Sequence, residues 1–498
     1  MEELLSPLTS VSRRLHTSDP SDEDYDKQIR DLIIFLKDPG RASDISAVSG
    51  YALDKLDPSS HSLSYLFLLL HQINSTQFEN KDLRPFDPTG ALWPKIVRFL
   101  TSFDPFQIRY AGHEWRQLVE LTVQSAQAVS KPLLAVPVIR DAILRLDPSS
   151  GVLTSIHITF IKLCLMSRSY SYALPILEKQ ICHFPTATSQ TYQKHHKSIL
   201  CGELEPSITF VTDSSGFSTK LTYRDYLQYF FCGAMIYMAL KKWDKALHHL
   251  NIVICSPVTN AVSKIMVEGY KKWILVSLLA CGKPIPSQSI TSSHVMKVYQ
   301  SLAQPYTTLA DAFGKCDLQR LKVEVEAALS VWRMDNNTGL VYQVVDAFQK
   351  RTTLKLGKTF SALAVADVAR HLPGRLSSLR EVESFVASLV MCGTLDAVLL
   401  HLRDYSDSTM LRFSGTAKSR FLQENNVQGR ILQECQSLRA MGKAVRDVNR
   451  GLELSNENFL FLQKCLKWSD NSGKGGINAL EQTEGGFDLD EDIMGDIH

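Results

Sequence analysis

The sequence is short of the features that would assign it a chemistry at once. No uncharged apolar run approaches the ~20 residues needed to cross a bilayer. The longest, at residues 65–70 and 273–281, have the length of core helices, so a membrane-spanning role is excluded and a soluble intracellular chain is expected. The start, Met1-Glu2-Glu3-Leu4-Leu5, has no basic region ahead of an apolar stretch, which argues against a secretory signal. Ten cysteines (164, 182, 201, 232, 255, 281, 316, 392, 435 and 465) form no C-x-x-C pair, so no disulfide framework is indicated, and we expect reduced core thiols. With 25 Gly and 19 Pro in 498 residues the chain is not collagenous or low-complexity. Charge of one sign is lacking too: 54 Lys and Arg against 52 Asp and Glu give no global electrostatic case for nucleic acid or an anionic membrane.

Catalytic constellations are equally absent. There is no G-x-x-x-x-G-K-[ST] loop to wrap phosphates with backbone amides, since Gly473-Lys474-Gly475 is only a linker piece. No G-x-S-x-G elbow exposes a serine nucleophile, and His113-Glu114 lacks the second histidine of H-E-x-x-H. An H-x-H pair with a downstream Ser and Asp, as in deubiquitinase-type zinc sites, does not occur. The doublets His195-His196 and His248-His249 aim adjacent imidazoles in different directions on a helix, poor geometry for one metal. We therefore expect no enzyme, no metal and no cofactor, with histidines serving as polar surface.

What is present is helix. Residues 25–36, 63–73, 92–101 and 114–129 carry apolar side chains at three- and four-residue spacing, separated by Asp-Pro turns at Asp57, Asp87, Asp104 and Asp147. The clearest unit runs through Phe230, Ala234, Tyr237, Ala246, Leu250, Val253 and Pro257, the large, small, aromatic, small, large, small and proline order of a tetratricopeptide-like helical pair. Small residues there let two antiparallel helices approach while large ones fill the groove. Cys164, Ala173 and Leu177 repeat it at the positions of Tyr237, Ala246 and Leu250. The polar stretch 184–222 interrupts the stack and is expected to be an exposed loop.

After Thr359 the period changes. A short strand at 359–363, a short helix at 364–372, a Pro373-Gly374 turn and a helix from Ser377 to Gly393 lead into an alternating hairpin, the layout of a winged helix. The hairpin places Val398, Leu400 and Leu402 on one face, with Leu411 and Phe413 opposite. Nucleic-acid reading is disfavoured because Arg375 and Arg380 on the second helix are balanced by Glu381 and Glu383. An outer strand with free amides beside apolar side chains instead suits β-augmentation by another chain. From Asn426 the helical period returns, with Ile431, Cys435, Leu438, Met441, Val445, Val448 and Leu452 forming an amphipathic stripe that must bury against something. We take Val398, Leu400, Leu402, Leu411, Phe413 and the stripe residues Ile431, Leu438, Met441, Val445, Val448 and Leu452 as candidate partner-binding residues. Residues 469–498 hold eight acids against one base, Lys474, so the chain ahead of them carries a net charge of +9. Within this tail Phe487, Leu489, Ile493 and Met494 interleave with acids, a pattern of a solvated end or of a segment that orders on a basic surface.

A helical-repeat arm joined to a winged helix resembles the PCI family, whose domain is shared by the proteasome lid, the signalosome and a translation initiation factor complex. Locally, residues 153–157 (LTSIH), 172–175 (YALP), 233–237 (GAMIY), 263–283 (SKIMVEGYKKWILVSLLACGK), 335–341 (DNNTGLV) and 358–360 (KTF) are similar to the subunit-three family of the COP-nine signalosome, over about residues 130–470. The resemblance implies a mostly α fold: an N-terminal helical region at 1–134, helical repeats at 135–357 with the helical part of the PCI domain from about 223, a winged helix at 358–415, a bundle helix at 416–468 and an acidic tail at 469–498. It also implies a non-catalytic scaffold in the complex that removes the ubiquitin-like modifier Nedd from cullins, with hydrolysis performed by a zinc-bearing subunit elsewhere. Partners would be the other signalosome subunits and, indirectly, cullin-RING ligases, with no direct nucleic acid and no membrane, in cytoplasm and nucleus. Winged helices of the family pair edge to edge and C-terminal helices share a bundle, which falls here on residues 398–413 and 431–452. The alternative from the same architecture is a proteasome-lid or initiation-factor subunit.

Overall fold

The computed structural model describes residues 6–11, 22–80, 88, 90–148, 151–179, 181, 183–185, 207–257, 262–282, 293–315, 317–371, 378–401, 409–413, 417–453 and 460–464. The chain divides into two units, residues 1–415 and 416–498.

The first unit is a stack of helices ending in a small sheet. Its helices are α1 (Asp22–Leu36), α2 (Ala42–Lys55), α3 (Ser62–Asn80), α4 (Leu92–Ser102), α5 (Gly112–Ala128), α6 (Val136–Leu146), α7 (Ser155–Met166), α8 (Tyr170–Leu177), α9 (Tyr223–Ala239), α10 (Trp243–Ile254), α11 (Lys264–Cys281), α12 (Ser293–Leu302), α13 (Gln304–Lys315), α14 (Leu318–Ala327), α15 (Leu329–Met334) and α16 (Thr338–Thr359). Among the described residues no helix is long and apolar enough to cross a membrane.

The repeat is recorded in its turns. Ser130, Arg168, Lys241 and Asn336 all sit in the left-handed region, with φ of 57°, 55°, 56° and 55°. Each follows a helix, and in each case the next amide reaches back five residues: Lys131 to Ala126, Ser169 to Cys164, Lys242 to Tyr237 and Asn337 to Trp332. That is the Schellman closure, which satisfies the last helical carbonyls and turns the chain sharply. Five residues beyond each left-handed position stands a small or β-branched buried side chain, Ala135, Ala173, Ala246 or Val341, where the second helix of the pair crosses the first. The two pairs read from Ala173 and Ala246 are thus two of four. No glycine occupies these turns, so each accepts a modest backbone penalty that tertiary packing overrides.

The loop expected over 184–222 is only partly that. Residues 186–206 lie outside the described residues, but residues 207–219 are packed against the arm. Phe210 and Phe217 are buried, Phe217 sits edge-on to Trp115 with ring centroids 5.8 Å apart, and the Arg109 guanidinium lies 4.3 Å above the Phe210 ring. Ser218 Oγ accepts from the Ser155 amide at 3.0 Å, and the Thr219 amide donates to Ser155 Oγ at 3.2 Å. At the other end His183 pairs with Val152, its amide donating to Gly151 O and its carbonyl accepting from Leu153. Polar composition concealed two aromatic anchors.

Two motifs of the sequence meet in space. Ser263 caps α11, its Oγ accepting from the Ile265 amide. From α11, Lys272 Nζ donates to Asn337 Oδ1 at 2.5 Å and Lys271 Nζ pairs with Glu268 and Asp335. Asn337 Nδ2 donates to Tyr306 OH at 2.8 Å, which donates to Asp335 Oδ2 at 2.7 Å. Residues 263–283 and 335–341 are therefore two halves of one buried polar clamp that fixes α11 against the start of α16.

A second, small core lies at the end of α16. Strand β1 (Ala362–Ala364), helices α17 (Val365–His371) and α18 (Leu379–Met391), and strands β2 (Ala397–His401) and β3 (Thr409–Phe413) form an antiparallel sheet of order β1-β3-β2 with two helices on one face, a winged helix. Ser378, rather than Ser377, caps α18, and Gly393 at φ 67° closes it. Val365, Val368, Val382, Val386, Leu389, Leu395 and Leu411 fill its interior. Phe413 lies against Gly357 of α16, where a Cβ would come within 2.8 Å of the Phe413 ring.

The second unit is described as one helix, α19 (Ala417–Glu453), and a helical turn at 460–464. Residues 454–459 lie outside the described residues, as do Phe487, Leu489, Ile493 and Met494 of the tail.

Two expectations are corrected. The cysteines are not uniformly core thiols: Cys164 is buried, Cys232 and Cys255 are half-buried, and Cys281, Cys392 and Cys435 are exposed at helix ends or on α19. Cysteines 182, 201, 316 and 465 lie outside the described residues. Nor are the histidines all surface groups. His157 and His249 are buried, and burial pushes both imidazoles down to about 4. The Thr154 amide donates to His157 Nδ1, so its proton sits on Nε2, while the His249 ring packs beside Phe230 and Tyr237. The doublet at His195 and His196 lies outside the described residues, and His248 and His249 diverge as expected, one exposed and one buried.

Candidate interaction surfaces

The first surface is the edge strand of the winged helix. β2 pairs with β3 on one side only, in the register Ala397↔Phe413, Val398↔Arg412, Leu399↔Leu411, Leu400↔Met410 and His401↔Thr409. No described strand covers its far side. Alternation turns Ala397 and Leu399 inward with Leu411 and Phe413, and sends Val398 and Leu400 outward, 49% and 44% exposed. The strand carries no lysine, proline or bulge of the kind that blunts free edges.

The tip is pinned by polar contacts. Thr409 Oγ1 donates to Glu383 Oε1 of α18 at 2.9 Å, which leaves its lone pairs for His401, whose Nδ1 is 3.0 Å away. His401 Nδ1 thus carries the proton, and Glu383 is 3.7 Å from it. A carboxylate of the second helix is spent on the wing, consistent with a helix unsuited to phosphate. Arg375 lies outside the described residues.

The placement sorts the candidates. Val398 and Leu400 are exposed at the edge. Leu411 is fully buried and Phe413 half-buried against the module's own core, so these two are taken out of the docking set: the inner face of the sheet already has its partner in α17 and α18. Leu402 lies outside the described residues.

The second surface is α19. Its 37 residues make a rod of about 55 Å at 1.5 Å per residue. Ile431, Leu438, Val445 and Leu452 recur every seven residues, and Val427, Glu434, Met441 and Val448 fall between them, the a and d positions of a heptad. Ile431, Leu438, Met441 and Val445 are exposed, as is Val427. Val448 and Leu452 belong to the helix, but their side chains are not among those described. Cys435 and Gly442 on one flank, and Ser437, Ala444 and Gly451 on the other, are small. A two-stranded coiled coil carries charges at those flanks, whereas small residues there let helices close in from more than one side. Val427 is absent from the stripe read from sequence because that stripe begins at Ile431; its place four residues before Ile431 is the signal that finds it.

Among the described residues no group of three His, Cys, Asp or Glu side chains could hold a metal ion. His157, His249, Cys164, Tyr229 and Tyr306 all owe their shifts first to burial inside the helical stack.

Comparison with known proteins supplies the remaining evidence. Residues 43–296 match a family model described as COP9 signalosome complex subunit 3, N-terminal helical repeats. A protein of Emericella nidulans named COP9 signalosome complex subunit 3 is 47% identical over 499 aligned residues, covering 100% of both chains. Proteins of the same name from Neurospora crassa and Arabidopsis thaliana are 24% and 28% identical, covering 88% and 74% of this chain and 86% and 76% of their own.

Proposed function

The chain belongs to the COP9 signalosome subunit 3 family, and on that premise we propose that it is a non-catalytic scaffold subunit of a signalosome that removes the ubiquitin-like modifier Nedd from cullins. The observation that carries this reading is the full-length match at 47% identity, which spans arm, winged helix and terminal helix together. The surfaces described above say how such a subunit would assemble. A neighbouring subunit's strand would extend the sheet beyond β2, with Val398 and Leu400 beside the seam, and helices of other subunits would cover the α19 stripe at Ile431, Leu438, Met441, Val445, Val448 and Leu452. Cullin-RING ligases would be met through the assembled complex, in cytoplasm and nucleus. Hydrolysis would belong to a different subunit. The domain bounds 1–134, 135–357, 358–415, 416–468 and 469–498 are proposed with it.

The test separates docking from folding. Val398→Asp with Leu400→Asp alters only exposed side chains, so the chain should keep its helical circular dichroism yet lose the other subunits on purification in mild salt. Leu411→Asp buries a carboxylate in the small core and should unfold the winged helix instead. Purification of the wild-type chain with proteasome-lid or initiation-factor subunits, or without cullin-deneddylating activity, would replace the signalosome by the alternative assembly.

A further inference from the structure

We propose that the turn edge of the arm, where its first two repeats adjoin, is a docking surface for a peptide segment of a partner protein that interleaves carboxylates with large apolar side chains. This goes beyond assembly through the winged helix and α19, and it rests on a different part of the fold.

The first observation is apolar exposure on rigid backbone. After α5 the chain turns through Ser130 into a short helical turn at Pro132–Leu134 that packs against α5, α6 and α7. Leu133 is 53% exposed there, with Val129 and Leu134 also open. Met166, at the end of α7, is 63% exposed, and its Sδ lies 3.8 Å from Gln127 Nε2 at the end of α5, so both turns contribute to one patch. These side chains cannot retreat into the core. Their backbone is held by the Schellman bonds at Ser130 and Arg168, by Pro132, and by the buried residues that follow each turn.

The second observation is uncompensated charge. Lys131 and Arg168 flank the patch and are exposed, and residues 124–134 and 165–172 contain no carboxylate. Lys241 adds a third cation on the same edge: Thr219, just ahead of α9, is bonded to Ser155 at the start of α7, so the two helices start side by side and both end at the turns. None of the described carboxylates lies within ion-pair range of Lys131, Arg168 or Lys241. By contrast Lys37, Lys95, Arg116 and Lys242 on the same arm each meet one.

Together these select the occupant. Neighbouring helices pack about 8–10 Å apart, close to three residues of extended chain at about 3.3 Å each. A segment with an acid near every third position and Leu, Ile or Phe between would place carboxylates on the cations and its apolar side chains on Leu133 and Met166. Val129, Leu133, Leu134 and Met166 offer no ring on which a nucleic-acid base could stack, and the exposed Tyr172 ring is already covered by the Arg140 guanidinium at 5.2 Å. A membrane would find no basic amphipathic helix of the kind that interfacial binding uses.

The experiment uses the full chain and a fluorescein-labelled nine-residue peptide alternating Asp with Leu and Phe, read by anisotropy. Saturable binding is expected, weakened about tenfold or more by Arg168→Glu with Lys241→Glu and equally by Leu133→Asp with Met166→Asp. Binding should fall as salt is raised and persist in Lys55→Glu on another face. Circular dichroism of each variant checks that the arm is still folded. No binding up to about 1 mM peptide would overturn the proposal. So would equal affinity for a peptide with Lys in place of Asp, or indifference to both double changes. Binding of phosphatidylserine vesicles that is lost in these variants, with no peptide binding, would reassign the surface to a membrane.

Discussion

Removing the side chain of Asn337 should destabilise the arm by about 3 kcal/mol, although the residue sits in a turn and contacts no other subunit's expected surface. Asn337 is fully buried and serves two partners, taking the Lys272 ammonium at 2.5 Å and donating to Tyr306 OH at 2.8 Å. A hydrogen bond to a charged group is worth about 1.5–3 kcal/mol, and a buried donor left without an acceptor costs about 1–3 kcal/mol. Lys272 is nearly buried. Burial pushes its ammonium down from the ordinary lysine range while Glu268 and Asp335 pull it back, so the loss of its one direct acceptor falls on a group already short of solvation. Asn337→Ala should therefore cost about 3 kcal/mol. Lys272→Met keeps the aliphatic packing and leaves only a neutral amide oxygen wanting, so it should cost about 1–2 kcal/mol. The double change Lys272→Met with Asn337→Leu should be no worse than the milder single one, because both ends of the interaction leave together. Native-state hydrogen exchange of the α11 and α16 amides, with calorimetric melting alongside, measures each. A loss under about 0.5 kcal/mol for Asn337→Ala, or single effects that add in the double change, would refute the reasoning.

Two further expectations follow from burial elsewhere. His157 and His249 stay neutral in the folded chain until about pH 4 but take up protons near 6.5 when unfolded. Stability should accordingly be flat above pH 6.5 and fall as pH drops toward 4, by about 1.4 kcal/mol per pH unit for each histidine. Melting temperatures across that range check the limb, and replacing both by Gln should flatten it; an unchanged slope would locate the proton uptake elsewhere. Phe217→Ala empties the site beside Trp115 and should cost about 3–4 kcal/mol, opening residues 207–219 to trypsin at Lys220, where the wild-type chain resists.

Much of this architecture is legible in the residues, for reasons that can be named. The Ala173 and Ala246 pair is visible because only a small side chain fits where two helices cross, so the requirement reaches the sequence directly. The other two crossings use Ala135 and Val341, and the turn ahead of each is built from a different residue, Ser130 or Asn336, because a Schellman turn is a backbone demand that several side chains can meet. The winged helix is legible through its change of period, and its strand faces through alternation. That Leu411 belongs to the core while Val398 and Leu400 do not is decided by which face meets α17 and α18, a tertiary fact. The strap at 207–219 was hidden for the opposite reason: its Ser, Thr and Gly make a compact turn, and the anchoring rests on Phe217 and Phe210, whose partners, Trp115 and Arg109, lie about a hundred residues earlier. Glu434, alone among the seam positions of α19 from 427 to 452 in being charged, breaks the apolar pattern enough to hide the seven-residue period from a search tuned to three and four.

The clamps at His183 and Ser218 carry an engineering corollary. Both grip the chain near the beginning of α7, on the opposite border of the stack from the Schellman turns, so everything threaded between them enters and leaves at one place. Length gained or lost there leaves the phase of the helical pairs undisturbed. Orthologues should differ most in size at this doorway, and a fluorescent domain grafted into it should leave the helical pairs on either side folded.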